Sequence, residues 1–272
     1  MALSRAERAS LIDAGSGPPL LVSHGWTGSN HNVVRWLPAL VPHFRVIVPD
    51  LPGCNGVPPL GEPHTAAAYA RHAERLADSL GLEEFFAAGL CSGTAIALTL
   101  AASVPWRISG LLLHTPFLRP SIIRPLVRLQ LMALVSPVGI LFGPLSRSTA
   151  LATLHRRLFA NASDVEAEQL AHDQADLVRA DVRAARDLAA DLLRVDRVDV
   201  VRAWRAPLAV LLADQDAFVD AAATAASLRD VAPHVLIETI AGGHGWTPTY
   251  VAGQHAALER LAPALRSAAR AR

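Results

Sequence analysis

Six short apolar runs, separated by longer helix-like stretches, constrain this chain more than any other feature. They are Leu20–Ser23, Phe44–Val48, Phe85–Gly89, Ile108–His114, Leu208–Ala213 and Val235–Ile240. They read as apolar on both faces rather than alternating, which is the pattern of strands buried inside a parallel sheet. Helical patterns lie between them: His64–Leu80, closed by Gly81 and with Thr65 placed to cap it, Thr94–Ala102, and Ala221–Val231. Strand–helix repetition predicts right-handed crossovers and an α/β fold with a doubly wound, mostly parallel sheet. The repetition stops between Pro116 and Arg205, where no convincing strand occurs. The expected division is a core of residues 1–115 and 206–272 with a helical lid, residues 116–205, inserted after the fourth of these runs. No internal repeat or low-complexity linker is present.

The insertion changes character along its length. Its first half is apolar and interrupted by prolines; its second half, Ser163 to Leu193, is rich in Ala, Arg and Asp. Charges there fall at helical spacing, such as Asp187 with Arg183 and Asp191 with Arg194, and read as a solvated helix face. The run Leu129–Ser146 carries Gln130, Pro137, Gly139, Gly143 and Pro144. A spanning helix needs about 20 mostly apolar residues, so this run reads instead as a buried or pocket-lining helix pair. No stable membrane insertion is expected.

Composition excludes further classes. All 25 basic residues among the 272 are arginine, so lysine Schiff bases, phosphate-loop lysines and lysine general bases are absent. A formal net charge of +1 gives no electrostatic case for nucleic acid or an anionic membrane surface. At 51% hydrophobic and 18% charged the chain is too apolar for disorder. Arg5, Glu7 and Arg8 interrupt the N-terminus, and two cysteines cannot build a disulfide framework, so a reduced cytoplasmic setting is expected. The sequon Asn161-Ala162-Ser163 carries no meaning without secretion. Scattered histidines give no metal-ligand spacing, and no Gly-x-Gly-x-x-Gly follows a strand, so neither metal nor cofactor is expected.

The segment Phe85 to Ala95 carries the chemistry. A strand runs into Gly89-Leu90-Cys91-Ser92-Gly93 and then an Ala-rich helix. The glycines two residues either side of Cys91 allow a sharp turn that presents its sulfur at the carboxyl end of the sheet, over a helix N-terminus that favours thiolate. With that segment the chain resembles the α/β-hydrolase family, in the variant with cysteine at the nucleophile elbow. Four further segments support the resemblance: His24-Gly25-Trp26, Pro49-Asp50-Leu51-Pro52-Gly53, Ala213-Asp214-Gln215-Asp216, and Gly242-Gly243-His244-Gly245-Trp246.

The resemblance implies a catalytic triad of Cys91, His244 and Asp216, with Asp214 as the alternative acid and one or two of Asp214, Asp216 and Asp220 on the surface or capping a helix. It implies an oxyanion hole from the backbone N–H groups of Trp26 and Ser92. His24, Gly25 and Trp246 are candidate substrate contacts, though His24 also suits a hydrogen-bonded turn. Cys54, in a Gly/Pro loop, is not the expected nucleophile. The expected function is an acyl hydrolase or acyltransferase acting on an ester or thioester through an acyl-cysteine intermediate. Its partner would be a small-molecule or carrier-protein-bound acyl substrate, and a homodimer is compatible. Elbow cysteines also occur in dienelactone hydrolases and polyhydroxyalkanoate synthases, neither of which this chain closely matches. The alternatives are a lyase, cyclase or C–C bond-cleaving relative using His244 as base, and a catalytically silent ligand-binding protein.

Overall fold

The computed structural model describes residues 10–141, 148, 150, 154, 167–244 and 247–271. Seven strands form one sheet: β1 (Ile12–Ala14), β2 (Pro19–Ser23), β3 (Arg45–Val48), β4 (Phe85–Leu90), β5 (Ile108–His114), β6 (Leu208–Ala213) and β7 (Leu236–Ile240). Their order is β1-β3-β2-β4-β5-β6-β7. Every neighbouring pair is parallel except β1 with β3. This is the expected doubly wound, mostly parallel α/β sheet.

The apolar runs are continuous because both faces of the sheet are covered. Leu20, Val22, Phe86, Ala88, Ala209 and Leu211 pack into one core. Leu21, Phe85, Ala87, Leu111, Val210 and Leu212 pack into the other. Alternate residues of a strand point to opposite faces, so burial on both sides demands apolar residues at successive positions. Two strand expectations need correction. The short antiparallel β1 was not marked, and β7 is an edge strand only partly buried along most of its length rather than apolar on both faces. Its Glu238 pairs with Arg260 at 2.9 Å on the exposed side.

Between strands lie α1 (His31–Val34), α2 (Leu37–Leu40), α3 (Ala66–Ser79), α4 (Gly93–Ser103) and, after β6, α9 (Ala221–Val231). Thr65 caps α3, accepting from the Ala68 N–H at 3.2 Å. A final helix (α10, Pro248–Arg270) packs along β5, β6 and β7. This helix is not among the expected elements; Pro263, inside it, interrupts the helical pattern.

Between β5 and β6 the chain forms α5 (Pro125–Val135), a 3-10 turn (Pro137–Leu141), α6 (Ala167–Arg179), α7 (Val182–Leu192) and α8 (Val198–Ala203). Residues 142–147 and the sequon at 161–163 lie outside the described residues. Val127, Leu131 and Leu134 of α5 are buried and line a cavity, while Leu129 and Met132 are more than half exposed, so of the two expectations the pocket-lining one fits and full burial does not. Among the described residues no helix is long and apolar enough to cross a membrane.

Several charges of the second half make tertiary bonds, while Arg179, Arg183 and Arg194 lie exposed as on the expected solvated face. Asp181 caps α7 by accepting from the Ala184 N–H at 2.8 Å. Arg186 donates to the Val135 and Ser136 carbonyls, at 3.1 Å each, at the end of α5. Asp187 keeps its expected partner Arg183 at 3.7 Å and also accepts from the His64 N–H at 3.0 Å. Asp191 pairs with the buried Arg197 instead of Arg194. Further bonds tie α6 and α7 to core loops: Trp26 Nε1–H to the Ala185 carbonyl at 2.9 Å, Asp181 N–H to the Gly53 carbonyl at 2.8 Å, and Ser29 Oγ–H to Asp176 Oδ2 at 2.7 Å.

Asp176 gives a pH-dependent prediction. Burial pushes its carboxyl up to about 6, with the Asp173 and Asp50 charges adding to this and the Ser29 hydrogen bond opposing it. A carboxyl raised in the folded state costs native stability as pH rises through about 6, and costs nothing below its unfolded value. Asp176→Asn is therefore expected to stabilise the protein at pH 8 by about 1–3 kcal/mol, with the gain vanishing by about pH 4. Thermal unfolding at both pH values checks this; an unchanged or lowered melting temperature at pH 8 would contradict it.

Candidate active site

The sheet order reverses between β2 and β4: from β2 the chain moves outward to β3, then returns to place β4 on the other side. In open α/β sheets the carboxyl ends at such a reversal are splayed by diverging connections and leave a crevice. Here those ends carry His24-Gly25-Trp26 after β2 and Cys91 after β4.

Cys91 occupies the left-handed region, with φ of 55°, between the last residue of β4 and the start of α4. That conformation is strained for any side chain bearing a Cβ, and it needs local support. Three features supply it. The Cys91 N–H donates to the His114 carbonyl at 3.0 Å. Thr94 Oγ1–H donates to the Cys91 carbonyl, and the same oxygen accepts from the Phe117 N–H at 3.0 Å. Glycine is obligatory on either side: a Cβ on Gly89 would lie 2.5 Å from the Gly93 and Thr94 backbone, and one on Gly93 would lie 2.2 Å from the Ser23 carbonyl oxygen. Strand, turn and helix are thereby brought into near contact around one thiol.

The acid and the histidine follow β6 and β7. His244 Nδ1–H donates to Asp216 Oδ2 at 2.7 Å. The other carboxylate oxygen accepts from the Phe218 and Val219 N–H groups at 2.7 and 2.9 Å. Asp216 is buried, and burial alone would raise its pKa; the His244 charge and these hydrogen bonds outweigh burial and hold it below the usual carboxylate value. Burial likewise disfavours charge on His244, but the Asp216 and Cys91 charges and hydrogen bonds to both more than offset it, so its pKa stands well above the ordinary value.

The three neighbouring carboxylates separate by their partners. Asp214 is exposed and accepts from the Gly242 N–H at 2.8 Å, which fixes the loop carrying His244. Asp220 caps α9, accepting from the Ala223 N–H at 2.9 Å. Asp216 is the member of the set that meets the histidine.

His24 is not placed to meet a substrate. It is fully buried, its Nδ1–H donates to the Gly25 carbonyl at 2.9 Å, and its Nε2 accepts from the Leu51 N–H at 2.9 Å. With both nitrogens engaged and burial lowering its pKa, it is a neutral brace between the β2 and β3 turns. Gly25 gives close approach rather than a contact group: a Cβ there would lie 3.3 Å from Cys91 Cβ and 3.9 Å from Sγ. Trp246 lies outside the described residues. Cys54 is buried, and burial together with the Asp50, Asp176 and Asp181 charges pushes its thiol far up, so it is a poor nucleophile.

Cys91 opens onto a cavity of about 390 Å³ lined chiefly by apolar side chains, including Trp26, Phe117, Leu131, Leu192 and Phe218. Ser92 also lines it, and its buried hydroxyl has no hydrogen-bond partner. Several supporting residues gave no sequence signal, because each acts through a tertiary contact. Phe218 packs its ring 4.2 Å from that of His244. Arg124, from the loop before α5, donates to the Asp216 carbonyl at 2.7 Å. His114 is buried beneath with its Nε2 against Tyr250 Oη at 2.7 Å and Gln254 Nε2 at 3.2 Å, and burial pushes its pKa down to about 3. Among the described residues no group of ligating side chains could hold a metal ion.

The profile of the alpha/beta hydrolase fold family matches residues 18–245. A candidate carbamate hydrolase of Caulobacter sp. (strain K31) is 27% identical over 239 residues, covering 85% of each chain. Among solved structures, a thermophilic esterase from Thermogutta terrifontis superposes with a TM-score of 0.75 at 23% identity, over 96% of this chain and 92% of its own. A bromoperoxidase from Bacillus anthracis gives 0.78 at 17% identity, over 92% and 94%. At these identities the two structures speak for the fold alone.

Proposed function

Because the chain belongs to the alpha/beta hydrolase fold family, we propose that it is an acyl hydrolase or acyltransferase working through Cys91, His244 and Asp216. The observation that carries this reading is the Asp216–His244 pair, bonded at 2.7 Å, beside a cysteine held at φ 55° over an apolar cavity. Residues 116–205 act as the lid over that cavity.

The steps follow from the groups present. Cys91 Sγ attacks the carbonyl carbon of a thioester or ester, its proton taken up by His244 during attack or already resting there in an ion pair with the sulfur. The carbonyl oxygen becomes an oxyanion, and the backbone N–H groups of Trp26 and Ser92 are the proposed donors to it. The tetrahedral intermediate collapses, the bond to the leaving thiol or alcohol breaks, and His244 returns the proton to that group. The acyl group then rests on Cys91. Water, or an alcohol or amine acceptor, attacks next, giving its proton to His244 and releasing Cys91 as the acyl bond transfers. Asp216 fixes the imidazole tautomer and stabilises its charge at both stages.

The lining sets the substrate class. Cavities of this size with few polar groups bind apolar ligand portions by desolvation, and here they adjoin the nucleophile. A thioester is favoured over an ester because exchanging one thioester for another is close to balanced in free energy. The candidate carbamate hydrolase acts, by its name, on a carbonyl–heteroatom bond, which supports the reaction class.

A panel of acyl thioesters and matched oxygen esters tests the proposal. Turnover is expected to rise from acetyl to longer apolar acyl groups. Leu131 lines the cavity, so Leu131→Trp should shorten the preferred chain and lower kcat/KM for the longest good substrate by roughly tenfold, the scale of a few methylenes lost from a pocket. Absence of turnover across the whole panel would overturn the acyl-transfer reading; turnover without any dependence on chain length would overturn the assignment of the cavity.

A further inference from the structure

Helix α5 and the turn after it are apolar on both sides. Val127, Leu131 and Leu134 are buried and line the cavity beside Cys91. Leu126, Leu129 and Met132 of the same helix are more than half exposed, as are Val138, Ile140 and Leu141 of the following turn. A helix that is apolar all round is ordinarily covered all round, and a contiguous apolar patch of this kind marks an interaction surface.

The charge around the patch identifies what covers it. No Asp or Glu occurs between Phe85 and Ser163. Within that stretch the described residues 116–141 carry three arginines, Arg119, Arg124 and Arg128, and no acidic residue. This described segment is therefore formally +3 in a chain whose total is +1. The near-neutral total conceals a segregated distribution. Arg124 and Arg128 also flank a groove of about 500 Å³ whose lining includes Leu129 and Met132. Among the described residues Asp220 is the one carboxylate in the lining of that groove and keeps its charge while capping α9; Arg124 there also donates to the Asp216 carbonyl, and Arg128 is exposed.

We propose that α5 and the turn after it dock on an anionic lipid surface. Leu126, Leu129, Met132 and Ile140 would enter the boundary between headgroups and acyl chains, and Arg124 and Arg128 would sit at the level of the phosphates. A lipid surface presents both components at once, phosphates for the arginines and acyl chains for the large apolar side chains. Docking is peripheral, since no described helix can span a bilayer. Val138 and Leu141 are exposed and also line the cavity, so the docked face would place its mouth against lipid. An apolar acyl chain could then reach Cys91 without crossing water.

The test is co-sedimentation of the full chain with vesicles of phosphatidylcholine alone and of phosphatidylcholine mixed with phosphatidylglycerol. Binding is expected only with the anionic vesicles, and it should weaken as salt rises. Arg128→Glu should reduce it about tenfold or more, by exchanging an attractive charge for a repulsive one. The triple variant Leu126→Ser, Leu129→Ser, Met132→Ser should reduce it as strongly, with its melting temperature confirming the fold; if that variant does not fold, Arg128→Glu decides. Equal binding to neutral vesicles, no loss in Arg128→Glu, or binding to an acidic carrier protein in place of vesicles would overturn the proposal. So would a dimer that buries the same face in solution.

Discussion

Cys91→Ala is expected to lower kcat/KM for the best thioester substrate by at least about 1,000-fold, with the fold unchanged. The size follows from covalent catalysis: without the thiol, water must attack the substrate directly, aided only by the oxyanion donors and by positioning. The fold should survive because alanine fills the same left-handed position with the same Cβ, and the bonds that hold the turn come from backbone groups and Thr94. Cys54→Ala serves as the control. That thiol is buried and pushed up by burial and three carboxylates, so its loss should leave turnover within about twofold. If Cys91→Ala retained most of the activity while His244→Ala lost it, His244 would be the base of a non-covalent reaction instead.

The second large effect is expected at Asp216. Asp216→Asn should lower kcat by roughly 100- to 10,000-fold, because an amide can present its N–H to the imidazole and select the wrong tautomer. The variant also carries a signature that a purely structural loss would not. After burial, which disfavours charge on His244, the Asp216 carboxylate is the largest influence on its pKa, and it acts upward. Removing that charge lets the pKa fall, so the limb of the pH–rate profile governed by His244 should move to lower pH. Asp214→Asn should do neither. Its carboxylate is exposed and holds the Gly242 N–H, so only a modest loss from loosening the loop is expected. Reversal of the two effects would exchange their roles.

Much of this was legible in the chain itself, for reasons that differ by element. β2, β3, β4, β5 and β6 announce themselves because burial on both faces leaves no room for polar residues. β1 is three residues long and antiparallel, too short to show a period. β7 lies at the edge, so Glu238 and Thr239 are accommodated there and its apolar run overstates its burial. Gly89, Cys91 and Gly93 were readable because a tight strand–helix turn excludes every side chain at the two flanking positions. The family resemblance puts Asp216 first with Asp214 as the alternative, but composition and local spacing do not separate three nearby loop carboxylates; their hydrogen-bond partners do.

The insertion shows the limit most clearly. Helical spacing found the Arg183–Asp187 pair, but it could not show that Asp187 also holds the His64 N–H or that Asp191 turns to Arg197 across a loop. The His64 bond ties this segment to the core and the Asp191–Arg197 pair braces the segment internally, and both depend on which loop each helix meets. Phe218 and Arg124 belong to the same category: each serves the acid or histidine through a contact between segments distant in the chain or arriving from different elements.

The most direct test of the covalent reading is intact-protein mass spectrometry after brief mixing with a slowly turned-over apolar acyl thioester, followed by peptide mapping. The account predicts a mass increase equal to one acyl group, located on Cys91, absent in Cys91→Ala and short-lived in the wild type. Turnover of the same thioester with no acyl group ever found on Cys91, or an acyl group found on Cys54 instead, would contradict it.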